Sequence, residues 1–402
     1  MAENLLRDTW ADLDQSDLRL LLQERIGRPG QYDGDSDVLH LPLAREKCRV
    51  SLTFEGAKIA AIEPGAAFDR QEWEQICAEI EGPILNGPRK VGREFSFSTF
   101  PVDGWWRGTR SGVQILPAPN SAPRGGGGAD EPFILEFPIQ EAGLWPITNQ
   151  HRIREHRKLT RLLNLLLAGT TKFLPDRRKH FWACVQFGAE PEFKWVQEWY
   201  YADLGEAVTN ELSPPTGDKL AELEPERYYE PIGIDGLGLR VPSDLDELIC
   251  RYQNLPPTLQ AKFDRATYWL SMARRQWEDS MSASYASLVS AAEALTEEST
   301  KHNLYCDQCK EDRSHDVPGA TEKFRAFFEK SAPGAGLRER RSKMYRLRSK
   351  ILHGSDLMQL DQDRAFGWDP PWWNEREMNM ELWALMRIAA RNWLMDPPSG
   401  KA

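Results

Sequence analysis

After Pro257 the hydrophobic pattern changes period. Leu259, Phe263, Ala266, Leu270, Ala273 and Trp277 recur every three or four residues, the spacing that lines one face of an α-helix. A second helix is predicted with Tyr285, Leu288, Val289, Ala292 and Leu295 on one side, and further helices over 321–328, 337–353 and 375–394. Upstream the pattern is that of strands. Cys48–Phe54 and Ile59–Ile62 flank the turn Gly56-Ala57-Lys58, and Phe95–Phe100 alternates with period two. Residues 133–137, 181–187 and 195–201 are further strand-length runs, while 159–167 reads as a helix preceded by the basic run His151, Arg152, Arg154, His156, Arg157, Lys158 and Arg161. The fold class is therefore α+β: a mixed α+β domain over 1–205, a Pro-, Gly- and Glu-rich linker or wrapping segment over 206–249, and an all-helical C-terminal bundle over 250–402.

A length of 402 residues suits two or three domains at roughly 150 residues each. With 41% hydrophobic and 28% charged residues, the chain has enough apolar surface to fold. Its net charge of −10 argues against a non-specific nucleic-acid coat but leaves room for a local basic patch. The N-terminus shows no basic start before an apolar run, so no signal peptide is expected. Leu162–Ala168 falls far short of the about 20 residues that span a bilayer. No membrane association is expected, and the cytoplasm is the default compartment. The six cysteines should then be reduced, and a closely spaced pair suggests metal chemistry. Arg124 and the four glycines after it lack the Lys-Ser or Lys-Thr of a phosphate loop and read as a surface loop.

The helix over 338–353 contains an anomaly. At about 100° per residue with Met344 as origin, Leu347, Ile351, Leu352 and Tyr345 form one apolar arc, and Arg348 falls inside it at about 40°. A guanidinium in a buried stripe is costly unless it is paired or functional. Glu293, on an apolar helix face beside Ala292 and Leu295, is its expected internal partner. Five residues on, His353 precedes Gly354, a residue suited to a left-handed helix cap. A helix C-terminus favours a cationic imidazole, and histidine suits proton transfer near neutral pH. The two side chains are about 140° apart on an ideal helix. One helix does not aim both at a single phosphate, whereas two antiparallel copies across a two-fold axis would, so a homodimer is expected.

Arg348-Ser349-Lys350-Ile351-Leu352-His353 resembles the Arg-(four to six residues)-His signature of HEPN ribonucleases. Together with Tyr285–Leu295 upstream and Met344–Gly354 around the motif, it is similar to the ApeA-like branch found in bacterial anti-phage systems. The resemblance covers about residues 250–400. Many members place Asn, Asp or His directly after the arginine, where this chain has Ser349. The resemblance implies a HEPN-like bundle that cuts RNA without a catalytic metal, as a defence effector or a toxin causing growth arrest. The 2′-hydroxyl attacks its own phosphate, His353 moves the proton and Arg348 stabilises the charge on the phosphoryl oxygens. Ser349, Lys350, Glu293 and Tyr345 would support this pair, and Arg340, Arg341 and Arg346 would hold the RNA backbone. The N-terminal domain would then sense a phage or host protein as trigger.

His302, Cys306, Cys309 and His315 form a separate cluster: two thiolates two residues apart, flanked by histidines, which can supply four tetrahedral ligands to a structural zinc. Two other functions stay open, a non-catalytic HEPN-like dimerisation or regulatory module and a zinc-stabilised adaptor.

Overall fold

The computed structural model describes residues 4–10, 13–26, 31–33, 38–41, 48–56, 58–119, 131–167, 171–173, 180–186, 190, 192–197, 206–229, 238–277, 279–296, 300–306, 311–334, 337–362 and 370–398. The chain falls into two compact units: Met1–Gly92 with Pro138–Arg154 and Val208–Glu211, and Arg93–Phe137 with Glu155–Ala207 and Leu212–Ala402. This division cuts across the boundary expected near residue 205.

In the first unit, α1 (Gln15–Ile26) precedes an antiparallel sheet of β1 (Gln31–Asp33), β2 (Val38–Leu41), β3 (Cys48–Glu55) and β4 (Lys58–Phe68), and α2 (Arg70–Asn86) follows. The expected turn between β3 and β4 is present, with Gly56 at φ +61, a conformation that costs glycine little. Asp69 caps α2 by accepting hydrogen bonds from the amides of Gln71 and Glu72. Leu18, Leu21 and Leu22 of α1 and Trp73, Ile76, Cys77 and Ile80 of α2 sit at helical spacing and are all buried with Leu52 and Ile62 of the sheet. Each large apolar side chain so buried contributes roughly 1.5–3 kcal/mol. Neither helix was among the sequence expectations, because their apolar stripes are short and broken by charges.

Next come β5 (Arg89–Ser98), β6 (Trp106–Arg107), β7 (Gln114–Pro117), β8 (Glu131–Gln140), α3 (Trp145–Leu166), β9 (Thr171–Phe173), β10 (His180–Gln186), β11 (Glu192–Gln197) and β12 (Val208–Thr209). A six-stranded sheet runs in the order β12-β5-β8-β7-β6 with β9 also on β5, and β10 pairs with β11. The strands expected at 95–100, 133–137, 181–187 and 195–201 correspond to β5, β8, β10 and β11. The helix expected at 159–167 begins earlier, at Trp145, so the basic run lies on α3 rather than before it. The glycine run 125–128 lies outside the described residues.

The segment expected as a linker or wrap is built in. β13 (Glu222–Leu223) pairs in parallel with β14 (Val241–Pro242), α4 (Pro225–Tyr228) lies between them, and Leu220, Tyr228, Leu239 and Val241 are buried. The C-terminal helices are α5 (Leu245–Gln253), α6 (Pro257–Gln276) and α7 (Met281–Leu295), then α8 (Ala320–Ser331), α9 (Arg338–Leu352), α10 (Gln359–Gln362) and α11 (Pro370–Met395). Helix α7 is buried on nearly every side and packs against α6, α8, α9 and α11. Its Ser- and Ala-rich sequence permits close approach, and a helix apolar all round belongs in a core. The all-helical expectation needs correction. Between α7 and α8 the antiparallel hairpin β15 (Thr300–Cys306) and β16 (Glu311–Val317) is inserted. Among the described residues, no helix is long and apolar enough to cross a membrane.

Candidate active site

Helix α9 has a sparse buried face of Arg341, Met344 and Tyr345. Met344 is anchored through its carbonyl, which accepts from the Tyr285 hydroxyl of α7 at 3.1 Å. One turn further on, Arg348 Nη2 donates to Glu293 Oε2 at 2.7 Å, and the Tyr345 hydroxyl donates to Glu293 Oε1 at 2.8 Å. The Arg348 guanidinium also lies 5.6 Å from the Tyr345 ring centroid, within cation–π range. Both oxygens of Glu293 are thus engaged by α9. The pair is not sealed, since the Arg348 and Glu293 side chains are 20% and 29% exposed. Burial, followed by the hydrogen bond to Glu293, pushes the Tyr345 hydroxyl up to about 12. Tyr345 therefore acts as a donor to the carboxylate rather than as a base.

His353 caps the C-terminus of α9. It is exposed, at φ −84 and ψ 2, with its amide donating to the Ser349 carbonyl at 3.0 Å. Gly354 follows at φ +68, and its amide and that of Ser355 donate to the carbonyls of Ile351 and Lys350. The last carbonyls of the helix are thereby satisfied, as expected of this kind of cap. The segment beyond is tied to the start of α7. The Met358 amide donates to Ser282 Oγ at 2.8 Å. Asp361 accepts from Ser280 Oγ and from the amides of Met281 and Ser282 at 2.8–2.9 Å. Burial works against ionisation of Asp361, but these hydrogen bonds outweigh it and hold the carboxyl below its usual range. Sequence reasoning missed this clamp; the one legible signal was Ser280 ahead of an apolar helix, a natural N-cap.

No family model matches the chain, and no curated protein or solved structure matches it.

The other expected site residues divide. Arg346 and Lys350 are exposed on α9, Lys350 standing 3.5 Å from Asp356, and Ser349 is half-buried. Arg340 is paired with Glu381 of α11. Arg341 requires correction. It is 1% exposed, donates from Nη2 to the Ala332 carbonyl at 2.5 Å and lies 5.9 Å from the Phe328 ring centroid. A side chain so enclosed cannot hold an RNA backbone. Tyr345, expected at the floor of a dimer cleft, is also enclosed, at 6% exposure against Phe324. Leu352, the other residue expected there, is 53% exposed.

Of the expected zinc ligands, His302, Cys306 and His315 lie on the hairpin strands. His302 pairs directly with His315 in the hairpin, and Cys306 pairs with Glu311 at its far end. Four strand positions separate His302 from Cys306, roughly 13 Å at the rise of a β-strand. Cys309 lies outside the described residues.

Proposed function

We propose that the protein is a metal-independent endoribonuclease of HEPN type, with Arg348 and His353 as its catalytic pair. The observation that carries this reading is the end of α9. An exposed histidine occupies a well-formed helix cap, five residues after an arginine that is oriented by a carboxylate yet still reached by solvent. In the proposed reaction the ribose 2′-hydroxyl loses its proton and attacks the adjacent phosphorus. The bond to the 5′-oxygen breaks, leaving a 2′,3′-cyclic phosphate and a protonated 5′-hydroxyl. His353 transfers the proton, and Arg348 supports the negative charge on the non-bridging oxygens. Arg346 and Lys350 hold the phosphates on either side. The rise over five helical residues is about 7.5 Å and the turn about 140°, so a homodimer with antiparallel α9 helices completes the cleft. Recognition of a phage or host protein trigger is assigned to the N-terminal region, in keeping with an anti-phage or growth-arrest role.

The Glu293 contacts favour a second reading, a non-catalytic bundle in which Arg348 serves to lock α9 onto α7. Incubation of the purified protein with total cellular RNA separates the two. The enzyme yields 5′-hydroxyl and cyclic-phosphate ends in the presence of chelator, and His353→Ala abolishes them. Wild-type cleavage by a pure His353→Ala protein removes the assignment. Zinc is proposed only as a structural ion held by His302, Cys306, Cys309 and His315, and elemental analysis finding less than about one metal in ten chains removes it.

A further inference from the structure

The sheet that contains β5, β7 and β8 borders a cleft that the α9 site does not use. Leu116 of β7 and Ile134 of β8 are buried and form its floor. Its walls are residues 101–103 after β5, 117–119 after β7, and the segment 213–217. The volume, about 490 Å³, falls in the range of small-molecule sites. The 213–217 segment is fixed at both ends. Ser213 donates from its amide and its hydroxyl to the buried Glu136, at 2.9 and 2.5 Å. Its carbonyl accepts from Gln114 and Arg107, at 2.9 and 2.7 Å. At the other end the Gly217 carbonyl accepts from the Trp105 indole at 3.1 Å, and the Asp218 carbonyl from the Trp105 amide at 2.9 Å. Gly104 permits this close approach, since a Cβ there would lie 2.8 Å from the Asp218 carbonyl oxygen. The cleft is therefore preformed, which lowers the ordering cost of filling it.

The lining has an uneven chemistry. Pro101, Pro117, Pro119, Pro132 and Pro214 all contribute to it. Proline has no N–H, so these positions offer a ligand ring carbons and carbonyl oxygens but no backbone donor. Arg93, the guanidinium among the described lining residues, is turned to Glu136, with Nε 3.3 Å from Oε1. Asp103 stands differently. It is exposed, and among the described residues it forms no hydrogen bond or ion pair. The charge presented to a ligand is thus a carboxylate beside an apolar floor.

We propose that this cleft binds a small organic cation, a primary ammonium joined to an apolar body. The body packs on Leu116 and Ile134 between the proline rings, and the ammonium donates to Asp103. Such a charge-assisted hydrogen bond is stronger than a neutral one. An anionic ligand meets Asp103 as a like charge, while Arg93 already faces Glu136. The inference is independent of the ribonuclease reading, because none of these residues belongs to the α9 site.

The test titrates the full chain, by ligand-observed NMR, with probes of one shape and different charge: phenylbutylammonium, phenylbutanol and phenylbutanoate. The ammonium is expected to bind with a Kd of about 1 mM or below, and the alcohol about tenfold more weakly. The carboxylate should be the weakest. Asp103→Asn, at an exposed position, is expected to weaken the ammonium about tenfold and leave the alcohol unchanged, a split that a merely structural role for Asp103 does not produce. Thr216→Trp, at an exposed lining position, fills the cleft and should weaken the ammonium and the alcohol alike. Equal affinity for the three probes overturns the proposal, as does ammonium affinity that is unchanged in Asp103→Asn. Absence of ammonium binding at about 5 mM overturns it as well. Tighter binding of an acetylated, amidated lysine peptide than of the free amine moves the cation onto a protein partner and overturns the small-molecule assignment.

Discussion

Two cationic regions of this protein are built in opposite ways. At the end of α9, Arg348 has a carboxylate of its own, Glu293, whose second oxygen is taken by Tyr345. On the α3–α6 face, Arg161 has the Tyr268 ring beneath it and is acted on by Asp264 as well as by Arg275 and Arg157. A matched cation is fixed in direction, which positioning for chemistry requires. A cation set among several charges of both signs is oriented less by any one of them. The contrast is between a guanidinium aimed by one carboxylate and one set among a ring and several charges.

The largest expected effect lies at α9 and tests the proposed site there. Arg348→Ala and His353→Ala should each reduce RNA cleavage by about two to four orders of magnitude. A related test of the dimer mixes an Arg348→Ala protomer with a His353→Ala protomer. Partial recovery of activity supports a composite cleft, and a fully active monomer by light scattering refutes it.

A smaller effect separates the matched arginine from the helix-end histidine. Arg348→Ala leaves Glu293 with only Tyr345, at an expected cost of about 1–2 kcal/mol, reduced from a fully buried pair because both side chains are partly exposed. Glu293→Ala should cost about as much, and the double variant less than the sum. His353→Ala should change stability by less than about 0.5 kcal/mol. Denaturant midpoints measure all four. An additive double variant would show that the ion pair does not couple α7 to α9.

Arg341 shows how much of this was legible in the sequence. On the helical projection that singled out Arg348 at about 40°, Arg341 falls at about 60°, inside the same arc. The pattern therefore contained its burial, but the clustering of Arg340 and Arg341 suggested a solvated, phosphate-facing pair. Its enclosure by the Ala332 carbonyl and the Phe328 ring needed the path of the chain after α8. The pairing of Arg348 with Glu293 was readable, since each was a charge on an apolar face. The hairpin of β15 and β16 was not: its histidines and Cys306 drew attention to metal spacing rather than to strand pairing. The α3–α6 face was hidden for a different reason. Arg161 and Tyr268 are 107 positions apart, and only the packing of two helices joins them.

The smallest prediction concerns a matched cation that can be switched off. In the first unit, His151 Nε2 lies 2.7 Å from Asp17 Oδ2 and Nδ1 lies 3.0 Å from the Gln140 carbonyl. Both partners accept, so both ring nitrogens must donate, and the imidazolium form satisfies them best. The hydrogen bond to Asp17 raises His151 above its ordinary value of 6.5, against the opposing effects of burial and of Arg154. A group whose folded value is raised stabilises the fold fully below its unfolded value, and that contribution disappears as pH rises through the folded value. The wild type should therefore exceed His151→Gln in urea midpoint by the most near pH 5.5, and the gap should narrow steadily towards pH 9. The other histidines are common to both proteins and cancel in the difference. A gap that stays constant over this range would mean that His151 is held as a neutral hydrogen-bonding ring. Its contact with Asp17 would then be a neutral hydrogen bond and not an ion pair.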